Sequence, residues 1–570
     1  MKRFWPLAAI LLVFVIVVSL EIGWGLPGPR RTELLFPGGL TDQTVADLVE
    51  RSQGQLAAAG DTPIPLLGRG AEPPPYDRDQ ALDACRRFLL YTENPDEMLT
   101  IMALARIKPG EIQFDPGMGQ YGGAFLYPLG AWLKAATMTG LARQGNLEHY
   151  LRHSEDMGRI YLVGRAFVAL CVALALVVIY RIGERLGGPV VAATAAGLAA
   201  LSPAVLTWSV VLKPHAAALL PGMLAVYWAL AYYESPRWRT LVAAGVAAGV
   251  AVGMTLVAAP LGLSVLAAVW LEKRRQGRHL VRTAALVLTA GAAFLATNPY
   301  TIISYADRLE ESAGVRSFYE GGASPWQVAE YLAGPMREAA GAVFLVLGLV
   351  AMVMLLAQQF RRAAVLVLPV VAAMLAIPLT LGDWAGEPQM ARFALPVLPL
   401  LALASAWWLD RVGLLRRPMA AAMLIGALTV ALPTVLTQAM NAAGHSPRHD
   451  AAAVLNRQPN VPLLVEYPAA PFRAPPVSFL DHRLIYAAPA GKASYVRAST
   501  SWRPLGEDGP DRVTFSLVPG RPDWLRAPLT FADRDVVLTF HAPAPNPEPS
   551  VSMPDDSPGY APRRESAPPA

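Results

Sequence analysis

Apolar runs long enough to cross a bilayer recur along this chain, and they leave it few possible folds. They fall at residues 160–180, 189–208, 216–233, 241–257, 259–271, 283–297, 341–356, 364–381, 393–409 and 418–440. Hydrocarbon offers no water to a bare N–H or C=O, so only helices and closed barrels cross it. Most of these runs match a helix of about 20 residues rather than a barrel strand of about 10. The N-terminal "MKRFWPLAAILLVFVIVVSLEIGWG" adds another, with Lys2 and Arg3 ahead of it and no small-x-small cleavage site after it. It reads as an uncleaved anchor with a cytoplasmic N-terminus. The expected fold is therefore an all-α polytopic membrane protein with about 11 transmembrane helices. Composition agrees: the 570 residues are 54% hydrophobic and 16% charged, against about a quarter charged in soluble proteins.

The basic residues orient the spans. "RIGERLGG", "ESPRWRT", "EKRRQGRHLVR", the pair Arg361 and Arg362, and "DRVGLLRRP" are short and basic, and all belong on the cytoplasmic side. The remaining connections then face outward, among them "VVLKPHA", residues 299–338, "GDWAGEPQMAR" and the C-terminal tail. For this count to close, 121–141 cannot be a full crossing. With Lys134 and several glycines it reads as a helix in the outer interface. The stretch 241–271 must cross twice, breaking near Pro260. Two soluble parts remain outside: a long first loop with interfacial helices, 25–159, and a tail from 441. The tail alternates short strand-like runs ("VPLLVEYPA", "DRVTFSLVPG", "RDVVLTFHAP") with Pro and Gly turns, a small β-rich domain over 441–545. Residues 546–570 read as a disordered Pro-rich tail. Cys171 lies in an apolar run and Cys85 in a polar one, so no disulfide is expected between them, and no metal-type cysteine spacing is present.

The first loop gathers acids. In "YTENPDEMLTIMALARIKPGEIQFDPGMGQYGG", Asn94 or Asp96 can cap a helix whose apolar face is Met98, Ile101, Met102 and Ala105. Two readings stay open for the pair Asp96 and Glu97: ordinary first-turn acids of an interfacial helix, or a catalytic carboxylate held at the membrane surface. Asp115 precedes a Pro in a glycine-rich stretch and reads as a turn residue. Glu93 and Glu111 read as solvated surface acids. Cationic groups mark the outer ends of other spans: Lys213 and His215 beside Pro214, Arg392 in "QMARFALPVLPLLALASA", and Arg165 about a turn into the span after the first loop. Each alone is a snorkelling or interface residue. Together they make a basic rim suited to a phosphate head group, with His215 either hydrogen-bonding it or packed.

In this order the residues resemble the GT-C class of membrane glycosyltransferases, specifically the family 39 type. That group includes protein O-mannosyltransferases and lipid A aminoarabinose transferases. The pattern is an anchor, an outer loop with the acidic pair, and a Pro/Gly turn into an interfacial helix ("FDPGMGQYGGAFLYPLGAWLKAA"). There follow an Arg early in the next span ("YLVGRAFVAL"), "LSPAVLTWSVVLKPHAAALLPG", a Gly-rich span, and late on "ARFALPVLPLLALASA". The resemblance covers residues 1–440. The chain departs from it in the long polar stretch before the acids, and in "DPGMGQYG" where many members carry His-Pro-Pro-Leu. It also has "KPHA" where many have an Asp, and "GMTLV" where many have a Lys.

The resemblance implies a sugar donor on polyprenyl phosphate and transfer to an acceptor hydroxyl of a lipid, glycan or protein at the outer face of the plasma (inner) membrane. A phosphate leaving group needs charge stabilisation rather than protonation, while the hydroxyl needs a base. One displacement at the anomeric carbon inverts the sugar. On this basis Asp96 is the base, and Glu97 orients the acceptor or a divalent cation, Asp96 and Glu97 being the ligands if a metal is used. Asp115 supports or holds the acceptor. Lys213, His215, Arg392 and Arg165 face the donor phosphate. The alternatives are a transporter or flippase of lipid-linked glycans, or a non-catalytic membrane scaffold. A nearly ion-free midplane argues against transport. No Gly-Lys-Ser/Thr phosphate loop is present, and no nucleic-acid partner is expected.

Overall fold

The computed structural model describes residues 5–59, 75–272, 278–319, 324–487, 494–500, 511–517, 526–541 and 563–565. The chain divides into two compact units. The first comprises Met1–Ile22, Leu99–Ala135 and Gly164–Val435, and the second Gly23–Met98, Ala136–Val163 and Leu436–Ala570.

The first unit holds the apolar helices. Among the described residues five helices are long and apolar enough to cross a membrane: Ser154–Gly187, Pro214–Glu234, His279–Thr297, Ala342–Trp384 and Arg417–Ala442. The number reaches seven when two bent pairs are each taken as one span. Trp5–Glu21, Trp238–Met254 and Leu256–Leu271 are apolar but shorter. Every apolar run of the sequence therefore appears as helix. The stretch Ala342–Leu381 departs from helical geometry at Gln359 (φ −142°, ψ 47°), two residues before the basic pair that marked a break in the sequence.

Two spans expected to be plain are broken: Pro189–Ala200 meets Pro203–Ser209 at 60°, and Pro388–Ala394 meets Leu398–Arg411 at 67°. Pro203 and Pro399 lack the N–H a continuous helix needs, so the ladder stops there. The helix Gly123–Met138, within the 121–141 stretch, has 16 residues and is about 24 Å long, short of a hydrocarbon core of about 30 Å.

Leu280, Val281, Val287, Leu288 and Leu295 of His279–Thr297 are exposed, a surface that suits lipid rather than water. The opposite face packs on the Gly-rich helix Trp238–Met254. A Cβ on Gly249 would sit 2.2 Å from the Ala290 carbonyl oxygen, and one on Gly245 2.2 Å from Thr289 Oγ1. The "AGVAAGVAVG" sequence is thus what lets the two backbones meet, the device by which helices associate in lipid, where the hydrophobic effect between them is lost.

The second unit has its own core, in which helices of the first loop and strands of the tail share one apolar cluster. Leu35, Leu48, Leu82, Cys85 and Phe88 pack with Leu463, Val496, Phe515, Val536 and Leu538. The tail therefore packs on the first loop. The sheet has six strands in the order Leu484–Ile485, Leu463–Leu464, Tyr495–Ser499, Val536–His541, Asp511–Phe515, Arg563–Glu565. The first three pair in parallel and the rest antiparallel. The three runs expected as strands each contribute one, and Leu484–Ile485, Tyr495–Ser499 and Arg563–Glu565 come in addition, the last within the stretch read as a disordered tail. The Pro-rich tail read at 546–570 lies, except for 563–565, outside the described residues. Cys85 and Cys171 are free and buried.

Glu93 corrects the reading of it as a solvated acid. It is 2% exposed, accepts from Arg448 Nη1 at 2.6 Å and lies 3.6 Å from Arg31 Nη2. Its own N–H donates to the Gly25 carbonyl. The two guanidinium groups offset the desolvation of the buried carboxylate. Glu111, by contrast, is exposed and paired with Lys108 at 3.2 Å.

His449 adds a pH dependence to this unit. Both ring nitrogens are buried without a hydrogen-bond partner among the described residues. Burial, opposed by Glu93 and reinforced by Arg31, pushes its pKa down to about 4. The unfolded value is about 6.5, so between the two the unfolded chain binds more protons. The contribution is full above about pH 6.5 and is lost as pH falls toward 4. The melting temperature should drop across that window, and drop less in His449→Gln; parallel profiles would remove His449 as the cause.

Candidate functional site

In the first unit the two broken helices bring cations together. Pro203–Ser209 ends at a turn, and Lys213 follows in extended conformation (φ −141°, ψ 153°) just before Pro214 opens the next helix. Residues ahead of proline favour that conformation. The Leu212 carbonyl accepts from Thr100 Oγ1 at 3.0 Å, which fixes the turn. Lys213 is 2% exposed; its Nζ lies 5.6 Å from the centre of the Trp208 ring and 5.9 Å from that of Tyr121.

Arg392, on Pro388–Ala394, lies over the same Trp208 ring at 5.9 Å and over Phe393 at 4.8 Å. It donates to the Tyr319 hydroxyl at 3.4 Å. His215 sits between Tyr121 and Phe393, with ring centres 6.4 and 5.4 Å away. It is 6% exposed, and its Nδ1 has no hydrogen-bond partner among the described residues. Two of the four residues expected at a phosphate, Lys213 and Arg392, thus share one indole, and His215 packs on Tyr121 and Phe393, which flank them. Aromatic faces hold the two cations with their negative quadrupoles.

Arg165, the fourth, is fully buried and donates to the Ile22 carbonyl at 2.8 Å. That oxygen lies just past the last turn of the anchor helix, where a carbonyl has no intrahelical partner.

Asp115 is the centre of a clamp. It accepts from the Gly117 N–H at 2.8 Å, from Ser304 Oγ at 2.6 Å and from Arg308 Nη2 at 2.6 Å. Arg308 also donates to Glu311 at 2.9 Å, and Glu311 accepts from the N–H groups of Gly119 and Gln120. Residues 115–120 are thereby tied to the helix Tyr305–Phe318. Gly117 takes φ +62°, and a Cβ on Gly122 would fall 1.7 Å from the Gly253 carbonyl oxygen. These glycines allow a close-packed loop, and Tyr121 is held from both sides.

The acidic pair lies in the second unit, where Asp96 and Glu97 differ. Glu97 is fully buried and accepts from Thr92 Oγ1 at 2.6 Å; Thr92 Oγ1 in turn accepts from the Asn94 N–H. Asn94 Oδ1 accepts from the Asp96 N–H at 3.1 Å, and the helix Glu97–Arg106 follows. Asn94 is therefore the residue that closes the turn ahead of the helix. Asp96 is half-buried. The buried side of the helix is Glu97, Met98, Leu99, Thr100 and Ala103, while Ile101 and Met102 are half-buried and Ala105 exposed. The apolar face expected from spacing is thus rotated, and the Glu97 carboxylate and Thr100 hydroxyl are on the buried side. Among the described residues no three His, Cys, Asp or Glu side chains come together as a metal-holding group.

Trp208, Tyr121 and Phe393 were not singled out from the sequence, nor were Ser304, Arg308 and Glu311. A tryptophan five residues before Lys213, where its run ends, was a usable signal. The partners of Asp115 lie some 190 residues away, and no local pattern announces them.

These features define a multi-pass membrane protein with a cationic, aromatic-walled cluster built on two broken helices. Residues 158–303, roughly a quarter of the chain and including Lys213 and His215, match the family described as dolichyl-phosphate-mannose-protein mannosyltransferase. No curated protein matches the chain. Solved structures similar to it include ArnT from Cupriavidus metallidurans bound to undecaprenyl phosphate, with 13% identity, 80% of this chain and 96% of that one covered, and a TM-score of 0.42. The same protein in its apo state matches at 14% identity, with 87% and 98% covered and a TM-score of 0.39.

Proposed function

We propose that this chain transfers a sugar from a polyprenyl-phosphate-linked donor to an acceptor hydroxyl at the outer face of the plasma membrane, with inversion. The N-terminus is then cytoplasmic and the C-terminus outside. The observation that carries the reading is the meeting of Lys213 and Arg392 at Trp208, with His215 packed on the Phe393 ring that Arg392 also covers. The family match over the segment that contains two of them supports it.

A polyprenyl phosphosugar carries one negative charge on its phosphodiester, and the departing monoester gains a second. Lys213 and Arg392 stabilise that gain, which is electrostatic catalysis without a proton donor. His215 Nδ1 supplies a polar contact to a phosphate oxygen. Asp96, half-buried and reachable, takes the acceptor proton as general base. Glu97, buried and hydrogen-bonded to Thr92, sets the turn that presents Asp96 and holds the acceptor side. Asp115 holds residues 115–121 and so the Tyr121 ring against Lys213 and His215. Arg165, which also ties down the end of the anchor helix, faces the donor phosphate with the other three. The acceptor is a hydroxyl of a lipid, glycan or protein.

The test is sugar transfer by the purified full-length chain with polyprenyl-phosphate sugars and membrane-extract acceptors. Asp96→Asn should lower the rate by about 10²–10⁴ while leaving the melting temperature unchanged. An active Asp96→Asn removes Asp96 as base. No transfer by the intact protein from any polyprenyl donor favours transport or scaffolding instead.

A further inference from the structure

The sequence places Arg361 and Arg362 in a short basic connection, and the proposed reaction makes no use of them. They line an open cavity of about 680 Å³ together with Tyr233, Glu234, Gln359 and Phe360. It lies at the C-terminal end of the span Pro214–Glu234, whose other end begins beside Lys213. A 21-residue helix puts about 30 Å between them, so this is a separate site near the opposite membrane face.

Several helix ends converge here. Arg185, in the last turn of Ser154–Gly187, donates to Glu234 at 3.2 Å and to the Tyr227 hydroxyl at 3.0 Å. Arg362 donates to Glu234 at 2.9 Å and to the Arg185 carbonyl at 2.7 Å, and lies over the Trp407 ring. The Gln359 amide, its oxygen turned toward the guanidinium, accepts from Arg411, in the last turn of Leu398–Arg411.

Helix C-termini favour cations, and that alone accounts for Arg185, for Arg411 and for one bond of Arg362. It leaves three things over. Arg361 lines the cavity and forms no ion pair among the described residues. Arg362 Nε is buried with no acceptor among them. Among the side chains that line the cavity, Arg361 and Arg362 are cationic and Glu234 is the one carboxylate, already bonded to Arg362 and Arg185. Planar guanidinium forks match the oxygens of a phosphate better than any other common anion. Phe360, 61% exposed beside Arg361, gives the rim an apolar edge.

We infer that this cavity binds a phosphate group, carried by an anionic lipid head group whose glycerol and chains lie along Phe360. The probe is phosphatidylglycerol, with inorganic phosphate as the lipid-free source. Full-length protein in phosphatidylcholine nanodiscs should melt a few degrees higher once phosphatidylglycerol is included, and inorganic phosphate should not reproduce the rise. Arg361→Glu, which breaks no observed bond, should keep the phosphatidylcholine melting temperature and lose the rise. Arg237→Glu, in another basic connection, should keep both. The inference is overturned if phosphatidylglycerol gives no rise, if the rise survives Arg361→Glu, or if Arg237→Glu abolishes it equally. Inorganic phosphate matching the lipid overturns the lipid as the source. Sugar transfer does not enter this test, so its failure leaves the proposed reaction standing, and the reverse holds too.

Discussion

Lys213→Ala is expected to lower sugar transfer by about 10²–10³, through kcat rather than KM. The phosphate is singly charged in the bound donor and approaches double charge as the sugar leaves. A cation beside it therefore binds the transition state more strongly than the ground state. Lys213→Arg, which keeps the charge but spreads it over a planar group, should retain part of the rate. Steady-state kinetics with a polyprenyl-phosphate sugar decide the matter, read alongside the melting temperature, because Lys213 is 2% exposed and packs on Trp208 and Tyr121. A rise in KM with kcat intact would make Lys213 a donor-binding residue only. Unchanged kinetics in a folded variant would remove the cluster as the phosphate site.

The largest stability effect is expected at Glu93. Glu93→Gln leaves Arg31 and Arg448, 3% and 1% exposed, without the carboxylate between them. Removing one member of such a buried set costs about 3–5 kcal/mol. Cys85, fully buried in the core of the same unit, offers a local readout: its reaction with a thiol reagent should accelerate, while that of Cys171, in the first unit, should not. Glu93→Met combined with Arg448→Met should recover part of the loss, because one guanidinium is no longer stranded. Glu111→Gln, at an exposed pair, should change stability by less than about 0.5 kcal/mol. Slow Cys85 labelling in Glu93→Gln would mean that the hydrogen bonds of Arg31 to the Phe88 and Tyr91 carbonyls and of Arg448 to the Phe531 carbonyl hold the unit unaided.

Glu93 and Glu111 also mark the limit of what could be read in advance. Both stand in polar sequence near a helix, and spacing assigns them the same role. What separates them is Arg448, 355 positions from Glu93 along the chain. Asp115 is similar: an Asp-Pro-Gly stretch reads as a turn, and the turn is there in its bond to the Gly117 N–H. Its ties to Ser304 and Arg308 come from a loop that sequence could only describe as outer. The meeting of Lys213 and Arg392 was legible only as a sum of helix ends sharing one side, because the charge pattern orients spans without saying which neighbours touch.

By itself the sequence determined that this chain is a helical membrane protein, where its apolar runs lie, and which polar residues stand at their ends. It could do so because hydrocarbon imposes a local condition: each crossing segment must satisfy its own backbone and present apolar side chains over a set length. Tertiary structure alone decided that two of those runs bend at proline to set Arg392 and Lys213 on one tryptophan, and that the first loop and the tail share a core. It also decided that an acid read as solvated would be enclosed by two arginines. Each of these depends on groups hundreds of residues apart coming within a few ångströms, where desolvation makes a charge costly alone and favourable in company.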